Sequence, residues 1–279
     1  MFDLAFSTNA FKKNTLEEAI DAIAAVGYRG LELMADVPHA YPQNMPPGRI
    51  AAVQTQLRKH GLTVSNINAF TLFACGDTYH PTWIEDDAAK CQTRIDHTLR
   101  SIELAAAFGA KTISLQPGGP LIGTTLTREM AGQRFADGLR AVIPAAKAAG
   151  VILAIEPEPG LYIESAAEYR EFKAQYFENE PTIRMNCDIG HLFCVGDDPA
   201  QVIRSMPDQI AHIHIEDIGA NRVHQHLCPG KGAIGFPAIF QAAADVGYTG
   251  RITVELYPYE STAAGVAQAA WDHLKPMLG

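Results

Sequence analysis

The sequence predicts an α/β protein, a single (β/α)8 TIM barrel with residues 1–279 forming one domain, and three observations predict it. Short apolar runs and amphipathic stretches alternate eight times along the chain. The return from amphipathic stretch to apolar run repeatedly carries glycine, in VGYRG, HGLTV, FGAKT, AGVIL and VGYTG, as the αβ loops of a parallel sheet require. The apolar runs are nearly continuous, which is the pattern of strands covered on both faces. Eight such units in this length close naturally into a barrel whose working face lies at the strand C-termini.

Taken in order, LAFSTNA leads to a helix from about Thr15, with Glu17 and Glu18 in its first turn and Gly27 at its end. GLELMA precedes a helix near Arg49 to His60, closed by Gly61. LTVSNINAF leads to a longer helix, roughly Asp86 to Phe108, and TISLQPGG to one from about Thr127 to Ala149. VILAIEPEP precedes a helix near Ser165 to Gln175, and TIRMNCDIGH a short one after Pro199. QIAHIHIED runs into a long polar loop and a helix from Phe236 to Val246; RITVELYP precedes a last helix ending near Leu274. The expectation is eight strands and eight helices. The competing doubly wound sheet lacks support, because no G-x-G-x-x-G follows the first strand.

Composition narrows the functional classes. A formal charge of −9 with no basic stripe argues against nucleic acid or an anionic membrane as partner. Cys75, Cys91, Cys187, Cys194 and Cys228 are an odd set without C-x-x-C spacing, which reads as reduced thiols in a cytoplasmic protein. The opening MFDLAFSTNAFKKN lacks the pattern of a signal peptide, and no run approaches the ~20 apolar residues of a membrane span.

The chemistry is concentrated in the second half. Glu156, Asp188, His214 and Glu255 each end an apolar run, in ILAIEPEP, IRMNCDIGH, IAHIHIED and ITVELYP. A buried charge is costly unless paired or bound to a metal. Adjacent strands deliver these four to one barrel mouth, so a divalent cation is the simplest partner. Three carboxylates and an imidazole suit Mn²⁺ or Mg²⁺ best, with Co²⁺ and Zn²⁺ admissible through the histidine. Alternation puts His212 on the same face as His214 but one layer lower. Two carboxylates beside such a cation, Glu156 and Glu255, are also the acid/base pair that proton transfer next to a carbonyl needs.

With E-P in IEPEP, D-x-G-H in CDIGH, H-x-H-x-x-D in HIHIED, P-G-K-G in CPGKGAIGF and V-E-L in TVELYP, the chain from Val151 onward resembles the xylose isomerase-like barrel superfamily. Within it, the site is most similar to that of the ketose 3-epimerases. The resemblance implies metal binding by Glu156, Asp188, His214 and Glu255, acid/base roles for Glu156 and Glu255, and substrate contact by His191. It also implies an arginine after the seventh strand that holds substrate oxygens, for which Arg222 is the candidate. The implied activity is isomerisation or epimerisation of a ketose or sugar phosphate. Relatives in this superfamily are often dimers or tetramers, so a homo-oligomer is an expectation of the same kind.

The loop NRVHQHLCPGKG adds His224 and His226, which with His191 could form a second, nitrogen-rich site for metal or substrate. This resembles the apurinic endonucleases of the same superfamily, which use three zinc ions. Asn68 and Gln116 stand approximately where that group carries two further histidines, which argues against a full cluster. Two alternatives follow: a zinc-dependent hydrolase or phosphodiesterase, and a lyase like the inosose dehydratases, in which the enediolate expels a β-hydroxyl. Lys231 could meet a phosphate, Phe70, Phe73 and Trp83 could wall the pocket, and Asn9 and Asn68 could bind hydroxyls.

Overall fold

The computed structural model describes residues 2–278. Eight parallel strands close into a barrel in chain order, β1 (Leu4–Ser7), β2 (Gly30–Met34), β3 (Thr63–Asn68), β4 (Thr112–Leu115), β5 (Ile152–Ile155), β6 (Ile183–Asp188), β7 (Ile210–Ile215) and β8 (Ile252–Val254). Around them lie α1 (Leu16–Val26), α2 (Pro47–His60), α3 (Ala88–Phe108), α4 (Arg128–Ala149), α5 (Ala166–Phe177), α6 (Ile189–Val195), α7 (Pro199–Ser205), α8 (Phe236–Asp245) and α9 (Ala263–Leu274).

Local chemistry sets the helix limits. Thr15 and Glu18 form a reciprocal capping box on α1, and the side chains of Asp87, Thr127, Ser165 and Asp198 cap α3, α4, α5 and α7. Gly27, Gly61, Gly109 and Gly150 end α1 to α4 in the left-handed region, which glycine enters without Cβ strain. Nine α-helices are described where the sequence pattern suggests eight. The additional one is α6. Asp188 accepts from the backbone N–H of His191 and starts a helix directly on the end of β6, before Pro199 opens α7.

Strand alternation sorts the side chains into two populations. Leu31, Leu33, Ile67, Ile113, Leu115, Leu153, Ile155, Met185, Ile213 and Ile215 are fully buried within the hydrophobic core between barrel and helices. Polar groups fill the barrel interior instead. Asn66 donates to Glu32 at 2.8 Å and to Ser114 Oγ at 3.0 Å, while Thr112 Oγ1 donates to Asn66 Oδ1 at 2.7 Å. An apolar barrel core would need no such network; this one supports polar groups above it. No helix among the described residues is long and apolar enough to cross a membrane.

Candidate metal centre and active site

Four strand ends meet at the C-terminal mouth. One ligand atom each from Glu156, Asp188, His214 and Glu255 can be chosen so that all lie within 4.8 Å of one another, and all four residues are buried. His214 is the hub. Its Nδ1 lies 2.9 Å from Glu156 Oε1, 3.7 Å from Glu255 Oε2 and 3.8 Å from Asp188 Oδ2. Burial alone would depress the imidazole, but Glu32, Glu156 and Glu255 outweigh it and hold His214 well above the usual histidine range. Burial raises Glu156, and it raises Glu255 much further, with Glu156 and Glu32 adding to the effect against the opposing pull of His214.

This donor set fits a divalent cation. Asp188 Oδ2 is buried and has no hydrogen-bond partner, although its other oxygen accepts from His191 N–H at 2.8 Å. A buried unpaired carboxylate oxygen is expensive unless a cation satisfies it. Three oxygens and one nitrogen are a predominantly hard set, which suits Mn²⁺ or Mg²⁺ and admits Co²⁺ or Zn²⁺.

A second cluster adjoins it. His191 Nδ1 lies 3.0 Å from the Pro157 carbonyl and His226 Nδ1 lies 3.1 Å from that of Glu255. Carbonyls only accept, so both rings carry their hydrogen on Nδ1 and turn an Nε2 lone pair inward. His226 Nε2 then lies 3.2 Å from His224 Nε2 and 3.3 Å from His191 Nε2. Facing lone pairs repel unless a proton or cation lies between them. Burial pushes His226 down to about 3 and His191 well below its ordinary range, so both rings are neutral, and their Nε2 atoms could take either a hydrogen donated by His224 Nε2 or a cation.

The loop that carries His224 and His226 is built on one carboxylate. Asp217 accepts from Ile218 and Ile234 N–H through Oδ1, both at 3.0 Å, and from Gly230 and Gly232 N–H through Oδ2 at 2.9 and 2.8 Å. This explains the P-G-K-G motif. A Cβ at Gly232 would sit 2.4 Å from Asp217 Oδ1, and Gly230 has φ +87°. Lys231 between them is exposed and does not line the mouth.

The mouth cavity holds about 530 Å³. Its far wall comes from the β3–α3 loop, which is pinned by two buried charges. Arg94 donates to the carbonyls of Ala69, Phe70 and Pro81, and Asp36 accepts from Thr71 Oγ1, Phe73 N–H and Ala74 N–H. Phe70 and Phe73 consequently line the cavity, whereas Trp83 is buried in the core against Phe135. Asn9 and Asn68 both reach the mouth and donate to Glu255 Oε1, at 2.8 and 3.0 Å. Arg222 does not reach it. Its guanidinium lies over the Phe193 ring and donates to the Phe193 carbonyl, outside the cavity, because the β7–α8 loop turns it away at a left-handed φ of 57°.

Several groups with a bearing on chemistry carry no clear sequence signal. Glu32, in β2, is fully buried with Oε2 2.6 Å from His214 Nε2. Glu158 lines the cavity, accepts from Tyr79 O–H at 2.8 Å, and burial pushes it up to about 8. Glu216 is fully buried with both oxygens unpartnered, close to Asp188 and His226. The second glutamate of IEPEP and the E-D pair of HIHIED were visible as letters, but nothing local distinguishes them from solvated loop acids. A wider hollow of about 1270 Å³ at the opposite face, beside Lys111 and Arg251, lies away from both clusters.

The closed barrel carries at its C-terminal mouth a buried acid-and-histidine set that could hold a divalent metal ion. Residues 20–277 match the xylose isomerase-like TIM barrel family, and the chain belongs to it. An inosose dehydratase of Lacticaseibacillus casei is 26% identical over 271 residues, covering 88% of this chain and 83% of that one. Among solved structures, an IolI protein with a bound zinc atom superposes with TM-score 0.80 at 17% identity, covering 100% of this chain and 98% of that one. D-psicose 3-epimerase from Clostridium cellulolyticum H10, solved with D-tagatose, gives 0.77 at 18%, covering 100% and 99%.

Proposed function

We propose that this protein is a divalent-metal-dependent isomerase or epimerase that moves a proton at the carbon beside the ketone of a neutral polyhydroxylated substrate. The observation that carries the reading is the convergence of Glu156, Asp188, His214 and Glu255 on one point below an open cavity. A divalent cation, when bound, supplies Lewis acidity toward the ketone and the hydroxyl next to it. Glu156 and Glu255 come from β5 and β8, so they approach that point from different sides. One carboxylate takes the C–H proton and the other returns a proton from the opposite face, which inverts the carbon. Return to the neighbouring carbon isomerises instead. His191, His224 and the amide of Asn9, whose Oδ1 has no partner, stand where substrate hydroxyls would be held, whereas the Asn68 amide is taken up by Glu32, Glu255 and Phe70.

The charge of the mouth supports a substrate without phosphate. Glu156, Glu158, Glu255 and Glu260 line it, and among the described residues Lys12 is the one Lys or Arg that does. Lys12 Nζ is already 2.8 Å from Glu260 and lies over the Phe73 and Tyr257 rings. A phosphate would find no unpaired Lys or Arg among the described residues lining the mouth to hold it, and nor would a nucleic-acid backbone.

The second reading is a lyase. It draws on the inosose dehydratase relative and on Glu158, whose raised carboxyl and Tyr79 partner suit donation of a proton to a departing hydroxyl. The first proton removal is common to both readings; the lyase then loses water. Incubation with a panel of ketoses and inososes in deuterated water with Mn²⁺, followed by mass spectrometry, separates them. Deuterium uptake with no loss of water supports the epimerase, and a product lighter by water supports the lyase. No turnover on any member refutes both.

A further inference from the structure

We infer that Glu32 is a positioning residue for the metal centre, setting which ring nitrogen of His214 faces the cation and tying that ring to Glu255. The inference rests on the proposed function only in taking the four-residue cluster as a cation site.

Glu32 comes from β2, on a different part of the barrel wall from β5 to β8, and is fully buried. Its Oε2 lies 2.6 Å from His214 Nε2, 3.4 Å from His212 Nε2 and 2.8 Å from the Asn66 amide nitrogen that donates to it. With a cation bound the ring is neutral; a carboxylate here accepts the Nε2 hydrogen and leaves the Nδ1 lone pair to the ion among Glu156, Asp188 and Glu255. The opposite tautomer would set the Nε2 lone pair against the Glu32 carboxylate and point the Nδ1 hydrogen at the ion, both repulsive in a buried site. Carboxylate–histidine pairs of this kind fix the tautomer and orientation of metal-binding imidazoles.

The other oxygen extends the support to a second ligand. Asn68 Nδ2 lies 3.2 Å from Glu32 Oε1 and 3.0 Å from Glu255 Oε1, so one amide spans the two carboxylates. The orientation of that amide is fixed in turn, because Asn68 Oδ1 accepts from Phe70 N–H at 3.2 Å. Glu32 is therefore surrounded by donors on both oxygens. An amide in its place must turn its NH₂ either toward His214 and Asn66, opposing two donors, or toward Asn68, opposing one. Shape is preserved by such a replacement while the pairing is broken.

The test uses the full-length protein and Mn²⁺ or Zn²⁺ alone. Glu32→Gln should weaken Mn²⁺ binding measured by calorimetry about 10–100-fold, with circular dichroism unchanged and with Glu32→Asp restoring part of the affinity. Should E32Q fail to fold, the wild-type Zn²⁺-loaded protein decides the matter by long-range ¹H–¹⁵N spectra. A slowly exchanging hydrogen on His214 Nε2 supports the inference; Nε2 bound to the ion with the hydrogen on Nδ1 overturns it. Affinity within twofold of wild type in folded E32Q also overturns it. Intact Mn²⁺ binding without turnover on any ketose or inosose would sink the proposed function and leave this inference standing.

Discussion

Replacing Asp217 by asparagine should release the loop that carries His224 and His226. The carboxylate is 1% exposed and accepts four backbone N–H groups, two on each oxygen. An asparagine keeps one acceptor oxygen and turns its NH₂ toward the other pair of N–H groups, so two hydrogen bonds are lost and two amides are opposed. Hydrogen bonds to a charged group contribute about 1.5–3 kcal/mol each, giving an upper range of about 3–6 kcal/mol. Relaxation of the partly buried glycine amides toward water should bring the cost near its lower end, about 3 kcal/mol. Much of it should appear as local opening, since strands β7 and β8 do not depend on the loop. Urea denaturation, together with limited proteolysis mapped across residues 219–233, measures both parts. A loss below about 1 kcal/mol with no new cleavage in that segment would refute the assignment of Asp217 as the loop's anchor.

Glu156→Gln and Glu255→Gln should each reduce turnover by at least about 100-fold, in line with the usual contribution of a positioned acid or base; near-full activity in either removes it from the proton-transfer pair. Chelation should abolish activity reversibly, and adding back Mn²⁺ at 100 times its Kd should raise stability by about 2.7 kcal/mol, read as a higher Tm; an unchanged Tm counts against a bound ion. Acid sensitivity should come partly from His39 and His97, which burial holds down at about 4 and about 3, with Arg94 adding to the effect on His97. Because the unfolded chain titrates near 6.5 and the folded rings do not, their full contribution is present above that pH. It falls as pH drops toward 4, by about 1.4 kcal/mol per unit for each ring at most. Denaturation at pH 7 and pH 5 should therefore show a smaller difference in a His39→Gln, His97→Gln double variant than in wild type, and an equal difference would refute the assignment.

What could be read from residues in order was everything governed by near neighbours. Thr15 with Glu18, Gly27, Gly61, Gly109 and Gly150 announce helix limits because capping and left-handed turns involve atoms a few residues apart. Glu156, Asp188, His214 and Glu255 stand out because an acid or imidazole ending an apolar run is anomalous in its own segment. Helix α6 leaves no periodic signal because seven residues, Ile189–Val195, are too few to show one, and its cap, Asp188, also belongs to the strand.

Closure of the ring decided the rest. Glu32 looks like an ordinary polar residue in a five-residue strand, and only the tertiary path brings it to His214, 182 residues away in the chain. Asn68 acquires its bridging position, and Glu158 its partner Tyr79, in the same way. Arg222 shows the converse: its place after the seventh strand suggested a substrate contact, yet loop geometry turned it onto Phe193. Side-chain type and spacing specify the secondary structure because those preferences are local. Which polar groups share a buried volume depends on how eight strands curve around one axis, and no short stretch of sequence encodes that distance.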